Sequence, residues 1–192
     1  FNVITGIYPL TRGTIRFKEE NILGLKPYQI CHKGIGRTFQ ISKPFTRLTV
    51  LENVMVGTLY GKSKTVGHLV QVQKTAESIL DRVGLGPKKN HKVSDLTRED
   101  KKRLELGKGL ATQPELLLLD EAMAGLNPTE IKELLELLKS IRADGVTLIV
   151  VEHVMHAVMK LADRVCVLHH GEKIAEGSPS EVARDKRVIE SY

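Results

Sequence analysis

The 192 residues contain no Trp, and aromatic residues make up only 4% of the chain. That argues against a protein that stacks single-stranded nucleic acid on aromatic platforms. Cysteine is also scarce: Cys31 and Cys166 stand far apart and belong to no metal-ligand spacing. Two unpatterned cysteines predict a reducing compartment and buried thiols. No apolar run approaches the length of a membrane span, and no signal peptide is visible. The chain begins at Phe1 and not at Met, so the expected true start lies upstream. Internal repeats and low-complexity segments are missing as well.

What is present is an ordinary globular composition, 41% hydrophobic and 27% charged, in a length sufficient for one substantial domain. Lys plus Arg number 29 against 23 acids, a net charge of +6. Such a balance suits nucleic acid, nucleotide phosphate or anionic lipid, and equally a solvated basic surface.

Short strand-like runs alternate with longer helical ones, which predicts an α/β domain with a largely parallel sheet. Thr14 to Phe17 and Gly36 to Phe39 read as short strands. Leu116 to Leu119, Val146 to Val151 and Arg164 to Leu168 are continuous apolar runs, the pattern of strands buried on both faces. Ile131, Leu134, Leu135, Leu138 and Ile141 fall on one helical face. Asn127 is the N-cap candidate of that helix, with Pro128 at N1, Glu130 at N3 and Gly145 closing it. Leu48 to Gly107 lacks buried-strand runs and reads as helices and loops, a helical subdomain inserted into the sheet domain.

The strongest chemical signal is Leu116-Leu117-Leu118-Leu119-Asp120-Glu121. An apolar strand ending in two acids puts both carboxylates at the carboxyl edge of a sheet, where open α/β sheets bind ligands. In a nucleotidase the first acid holds Mg²⁺ and the second orients or deprotonates water. A strand followed by a solvated acidic turn gives the same pattern. His153 follows the apolar run Leu148 to Val151 and Glu152; a lone His there is more often structural. Gln40 closes Gly36-Arg37-Thr38-Phe39-Gln40 and means little alone.

Order and spacing add weight. Gln40, then the polar helix start Leu96-Thr97-Arg98-Glu99-Asp100, then the Asp-Glu strand, then His153 together resemble the nucleotide-binding domain of ABC ATPases. On that resemblance Gln40 is the Q-loop, Leu96 onward the signature helix, Leu116 to Asp120 the Walker B strand, Ala124 to Asn127 the D-loop and His153 the switch histidine. Leu48-Thr49-Val50-Leu51-Glu52-Asn53-Val54-Met55-Val56-Gly57, Ala124-Gly125-Leu126-Asn127-Pro128 and Gly171-Glu172-Lys173-Ile174-Ala175-Glu176-Gly177 are similar to the branched-chain amino-acid, LivG-like, branch of that family.

The resemblance implies a P-loop-type α/β core with an inserted helical subdomain. It divides the chain into 1–47, the first part of the core; 48–107, the helical subdomain with the signature motif; and 108–192, the rest of the core. It implies ATP and Mg²⁺ as cofactors. Asp120 would hold the metal through water, and Gln40 would sense Mg²⁺ and the attacking water. Glu121 would be the general base and His153 would contact the γ-phosphate. Thr97, Arg98, Glu99 and Asn127 would face nucleotide. The implied partners are two transmembrane permease subunits, met near Ile41 to Val56, and a second ABC ATPase subunit in a homo- or heterodimer. An extracytoplasmic solute-binding protein would be linked indirectly. Nucleic acid is not among the partners, and the implied place is the cytoplasmic face of the membrane.

Two departures stand out. No G-x-x-x-x-G-K-[ST] loop occurs in the 192 residues, so the chain taken alone is expected neither to bind ATP tightly nor to hydrolyse it. And the usual Leu-Ser-Gly-Gly-Gln signature has become Leu-Thr-Arg-Glu-Asp, so that Glu99 is expected to oppose a phosphate at this helix end while Arg98 offsets it. Two other readings use the same motifs: an ABC-type ATPase of DNA repair or chromosome structure, and a non-catalytic pseudo-ATPase scaffold.

Overall fold

The computed structural model describes residues 1–39, 44–61 and 69–191. The chain divides into two compact units. The first comprises Phe1–Ala122 and Ile141–Val151, the second Met123–Ser140 and Glu152–Tyr192.

The first unit opens with a small hairpin, β1 (Arg16–Phe17) and β2 (Glu20–Asn21), followed by α1 (Pro27–His32) and β3 (Ile35–Arg37). The helices α2 (Val50–Tyr60), α3 (Leu69–Arg82) and α4 (Arg98–Ala111) follow, with short 3-10 turns at Gly86–Lys88 and Val93–Asp95. Then come β4 (Leu116–Asp120), the helix α5 (Pro128–Ala143), which the division assigns to the second unit up to Ser140 and to the first from Ile141, and β5 (Thr147–Val151). β3, β4 and β5 form a parallel sheet in that order, with Arg37, Leu118 and Ile149 in register. The expected strand at Thr14 to Phe17 shrinks to its last two residues, and β3 begins one residue early and stops short of Phe39.

β4 is the middle strand, and Leu117, Leu118 and Leu119 are fully buried. Leu118 packs with Ile22, Ile30 and Ile35. Gly109 lets α4 approach this strand: a Cβ there would lie 3.1 Å from Leu117 Cδ1. α2, α3 and α4 pack on one another. On α3 the buried residues are Val72, Ala76 and Leu80, one per turn on a single face. Among the described residues of 48–107 the named elements are helices and 3-10 turns.

Two runs expected to be buried on both faces are not. Thr147, Ile149 and Val151 of β5 are exposed, Ile149 at 42% and Val151 at 49%. β5 is the last strand of its sheet, and the face these three share is uncovered.

The third apolar run belongs to the second unit as β6 (Val165–His169). It pairs antiparallel with β7 (Glu172–Gly177) in a two-stranded sheet and, among the described residues, joins no parallel sheet. Only Val167 on β6 is buried, in a cluster with Ala175 and Val182. The alternation that turns Val167 inward turns Cys166 out, so Cys166 is exposed, against expectation. Cys31 is partly buried, and burial raises its thiol pKa.

The second unit also holds α6 (Met155–Leu161), α7 (Pro179–Val182) and α8 (Lys186–Ile189). At the start of α5 the cap is the one the sequence predicts. Asn127 Oδ1 accepts from the N–H groups of Thr129 and Glu130 at 2.9 and 3.0 Å, and Glu130 Oε2 accepts from Asn127 N–H at 2.8 Å. Ile131, Leu134, Leu135, Leu138 and Ile141 are all buried. Gly145, at φ 91, ends the turn after the helix in the left-handed region. No described helix is long and apolar enough to cross a membrane.

Candidate active site

The register of β4 brings Asp120 level with Val151 at the carboxyl end of β5, so both acids of the Asp-Glu pair lie at the carboxyl edge of the parallel sheet. Asp120 and Glu121 are each partly exposed, as groups meeting a ligand must be.

Arg37, at the end of β3, is the organising cation. Its Nη2 donates to Asp120 Oδ2 at 3.1 Å, and its Nη1 donates to Asn2 Oδ1 at 2.7 Å and Thr5 Oγ1 at 3.2 Å. The guanidinium also lies 5.8 Å from the Phe1 ring centroid and 5.0 Å from that of Phe39. A planar fork can hold several acceptors and stack on a ring at once. One Arg37 nitrogen, Nε, is buried and finds no acceptor among the described residues. Glu121 is held through its peptide: its N–H donates to Val151 O at 3.0 Å, and Lys102 Nζ donates to its carbonyl oxygen at 2.8 Å.

Helix α4 starts as its sequence predicts. Thr97 Oγ1 accepts from Asp100 N–H, and Asp100 Oδ2 accepts from Thr97 N–H, each at 3.1 Å. Asp100 is buried and also receives Lys88 Nζ on both oxygens, at 2.8 and 2.7 Å. Burial alone would raise its pKa; the bonds from Lys88 and Thr97 outweigh burial and hold it below the usual carboxylate value. Thr97 and Arg98 are exposed. Glu99 turns to its own helix, where its Oε1 accepts from Arg103 Nε at 2.7 Å. The Glu99 carboxylate is thus paired with Arg103, one helical turn on.

Of the other expected residues, Gln40 lies outside the described residues. His153 and Asn127 belong to the second unit, and both are exposed. Asn127 uses its side-chain oxygen to cap α5.

A groove of ≈ 180 Å³ opens beside Arg37 and is lined by Phe39, Phe45, Val56 and Lys108 among others. Fully buried Asn53 shapes its rim: it accepts from Phe45 N–H at 2.8 Å and donates to the Phe45 and Thr49 carbonyls at 3.1 and 2.8 Å. Phe39 and Phe45 stay about half exposed, at 49% and 50%. Sequence reasoning missed Arg37, Lys88, Lys102 and Asn53. A signal existed for Asn53 alone, a polar residue inside an otherwise apolar helical pattern.

The ABC transporter family matches residues 1–124, and the family described as branched-chain amino acid ATP-binding cassette transporter matches residues 172–192. The chain is 38% identical, over its whole length and 80% of the relative's, to the high-affinity branched-chain amino acid transport ATP-binding protein LivG of Salmonella typhimurium. It is 34% identical, with the same coverage, to BraF of Pseudomonas aeruginosa, which carries the same description. Among solved structures it resembles the ADP conformation of an ATP-binding cassette of an ABC transporter, with a TM-score of 0.89 and 29% identity over all of this chain and 80% of that one. The chain belongs to the ABC transporter ATP-binding family, in the branched-chain amino-acid group that includes LivG and BraF.

Proposed function

We propose that this chain belongs to an ATP-hydrolysing subunit that powers an importer of branched-chain amino acids. The observation that carries the reading is the Asp120-Glu121 pair at the carboxyl edge of β4, in a chain 38% identical to LivG.

The donor set suits Mg²⁺. Among the described residues no cluster of three or more His, Cys, Asp or Glu could cage a metal. Mg²⁺ keeps several waters and binds through one or two carboxylates plus substrate phosphates, so a single Asp120 at a sheet edge is an adequate protein contribution. Bound there, the ion would neutralise charge on the phosphates. Asp120 would hold it with Arg37 fixing one of its two oxygens. Glu121 would take the proton of the attacking water. Gln40 would orient that water and His153 would contact the γ-phosphate. Thr97 offers a hydroxyl at a helix start whose N–H groups favour anions. In a pair of subunits, this helix start would complete the partner's site, and Arg98, Glu99 and Asn127 would border the shared nucleotide. The groove lined by Phe39, Phe45 and Val56 has the exposed apolar character expected of a permease contact and supports that reading; in it the subunit would work at the cytoplasmic face of the membrane.

Glu121→Gln tests the reading, because the amide keeps the shape and cannot accept a proton. In the natural-length protein, ATP turnover should fall about 10²–10⁴-fold with nucleotide binding retained. Near-normal turnover would rule out Glu121 as the base. Uptake of labelled leucine by cells lacking the gene should fall in parallel; unchanged uptake would leave an ATPase with another cargo. The 192 residues contain no G-x-x-x-x-G-K-[ST] loop. Alone, they should show no micromolar binding of Mg-ATP by calorimetry, since most donors to the β-phosphate belong to that loop.

A further inference from the structure

Among the described residues, Lys18, Glu19, Gln113, Glu121 and His170 have positive φ without being glycine. Lys18, Glu19 and His170 lie in the turns of the β1–β2 and β6–β7 hairpins, where such values are ordinary. Glu121, at φ 47, lies in no hairpin; it directly follows the last residue of β4. A glutamate gains nothing locally from this conformation, and such residues persist only where their surroundings hold them.

The holding groups are on both sides of the residue. The Glu121 N–H donates to Val151 O at 3.0 Å, which ties it to the end of β5. The Glu121 carbonyl oxygen accepts from Lys102 Nζ at 2.8 Å. Lys102 stands on α4, five residues after the capping Thr97. All of these groups belong to the first unit.

We infer that Lys102 is a positioning residue for Glu121. Its ammonium holds the Glu121 peptide in the left-handed conformation and so sets the direction in which the carboxylate leaves the sheet edge. The inference rests on the reading of Glu121 as general base. It follows from geometry: φ fixes where Cβ points, and a long side chain carries any rotation at Cα outward to its carboxylate. A neutral residue at 102 leaves the carbonyl oxygen without this charge-assisted bond and lets the peptide relax toward negative φ. Because α4 also carries Thr97 and Arg98 at its start, the same lysine links the helix that would receive a phosphate to the residue that would activate water.

The experiment compares Lys102→Met, Lys102→Arg and Glu121→Gln in the natural-length protein. A displaced general base lowers kcat without weakening ground-state binding, and a misplacement of about 1 Å can cost about 10²-fold. Lys102→Met should therefore lower kcat by about 10–100-fold, with the KM for Mg-ATP and the thermal unfolding midpoint close to wild type. Lys102→Arg, which keeps a cation with N–H donors, should recover most of the loss. Wild-type kcat in Lys102→Met overturns the inference. So does a loss of kcat that tracks a lowered unfolding midpoint and is not restored by arginine. Turnover surviving in Glu121→Gln would instead overturn the reading of Glu121 itself, an outcome no Lys102 variant can produce.

Discussion

At the end of β4 and at the start of α4, acidic residues stand where a nucleotide is expected, and they are held in different ways. Asp120 and Glu121 are held by cations from distant sequence: Arg37 lies 83 residues away and Lys102 19. Glu99 and Asp100 are held mostly by neighbours, Arg103 four residues on, Thr97 three residues back and Lys88 twelve. The first arrangement exists only once β3, β4 and α4 have packed. The second is largely complete when one helix and the turn before it have formed. The strand end therefore reports on the whole unit, while the helix start is a local device that would survive modest changes elsewhere.

Arg37 is where this contrast should break most sharply. Its side chain is only 10% exposed and Asp120's 23%, and the guanidinium also serves Asn2 and Thr5. Removing one partner of a buried pair leaves the other charge uncompensated. Because Asp120 keeps some water, Arg37→Met is expected to destabilise by about 2–3 kcal/mol, the range of a lost bond to a charged group. Arg37→Lys should restore little of it, since a point charge cannot replace a fork that reaches three acceptors. Urea denaturation measures both; an unchanged midpoint in Arg37→Met would make the pair incidental to the fold.

Lys88 is the corresponding partner at the helix start. Its own side chain is 42% exposed while that of Asp100 is 9% exposed. Lys88→Met leaves Asp100 its cap with Thr97, so the expected cost is smaller, about 1–2 kcal/mol. The pH dependence has a definite sign. The folded-state pKa of Asp100 is depressed, so its contribution is fully present above the unfolded value, about 3.9, and is lost as pH falls through the lower folded value. Stability of wild type and Lys88→Met should therefore converge below about pH 4. A difference that persisted undiminished into that range would show that Lys88 stabilises by packing and not through Asp100.

The same division between local and distant explains what could be read from the sequence. The caps at Thr97 and Asn127 were legible because donor and acceptor lie three residues apart in a recognisable pattern. The buried face of α5 was legible from its period. The Asp-Glu strand end was legible because four leucines fix where β4 runs. Arg37 on Asp120, Lys102 on Glu121 and the clamp of Asn53 on Phe45 were not, because nothing in the sequence says which elements become neighbours. β5 shows the converse: its apolar run announces a strand, but burial depends on what lies across its faces. The β6–β7 hairpin was half legible, since only β6 carries an apolar run and β7, Glu172–Gly177, is mostly polar.

Glu99 carries the smallest expected effect and tests whether the helix start is as local as its contacts indicate. A carboxylate directed at a phosphate roughly 5 Å away would repel it by about 3 kcal/mol at an effective dielectric near 20, which is more than a hundredfold in binding. The observed carboxylate instead accepts from Arg103 at 2.7 Å along the helix, and the pair is close to neutral when seen from the helix start. An i,i+4 ion pair of this kind contributes about 0.3–0.5 kcal/mol to stability. Glu99→Gln should therefore lower stability by no more than that amount. A free-energy change of this size corresponds to about a twofold change in an equilibrium constant, so ATP affinity and turnover of the natural-length protein should shift by about that factor or less. The substitution removes this partner of Arg103, which also donates to the Val83 carbonyl at 3.3 Å, a contact that holds it away from the helix start. A tenfold or larger gain in ATP affinity or turnover in Glu99→Gln would show that the carboxylate leaves Arg103 and faces phosphate when nucleotide is bound. That result would make the altered signature a brake on hydrolysis; a shift within twofold leaves Glu99 as a local strut of α4.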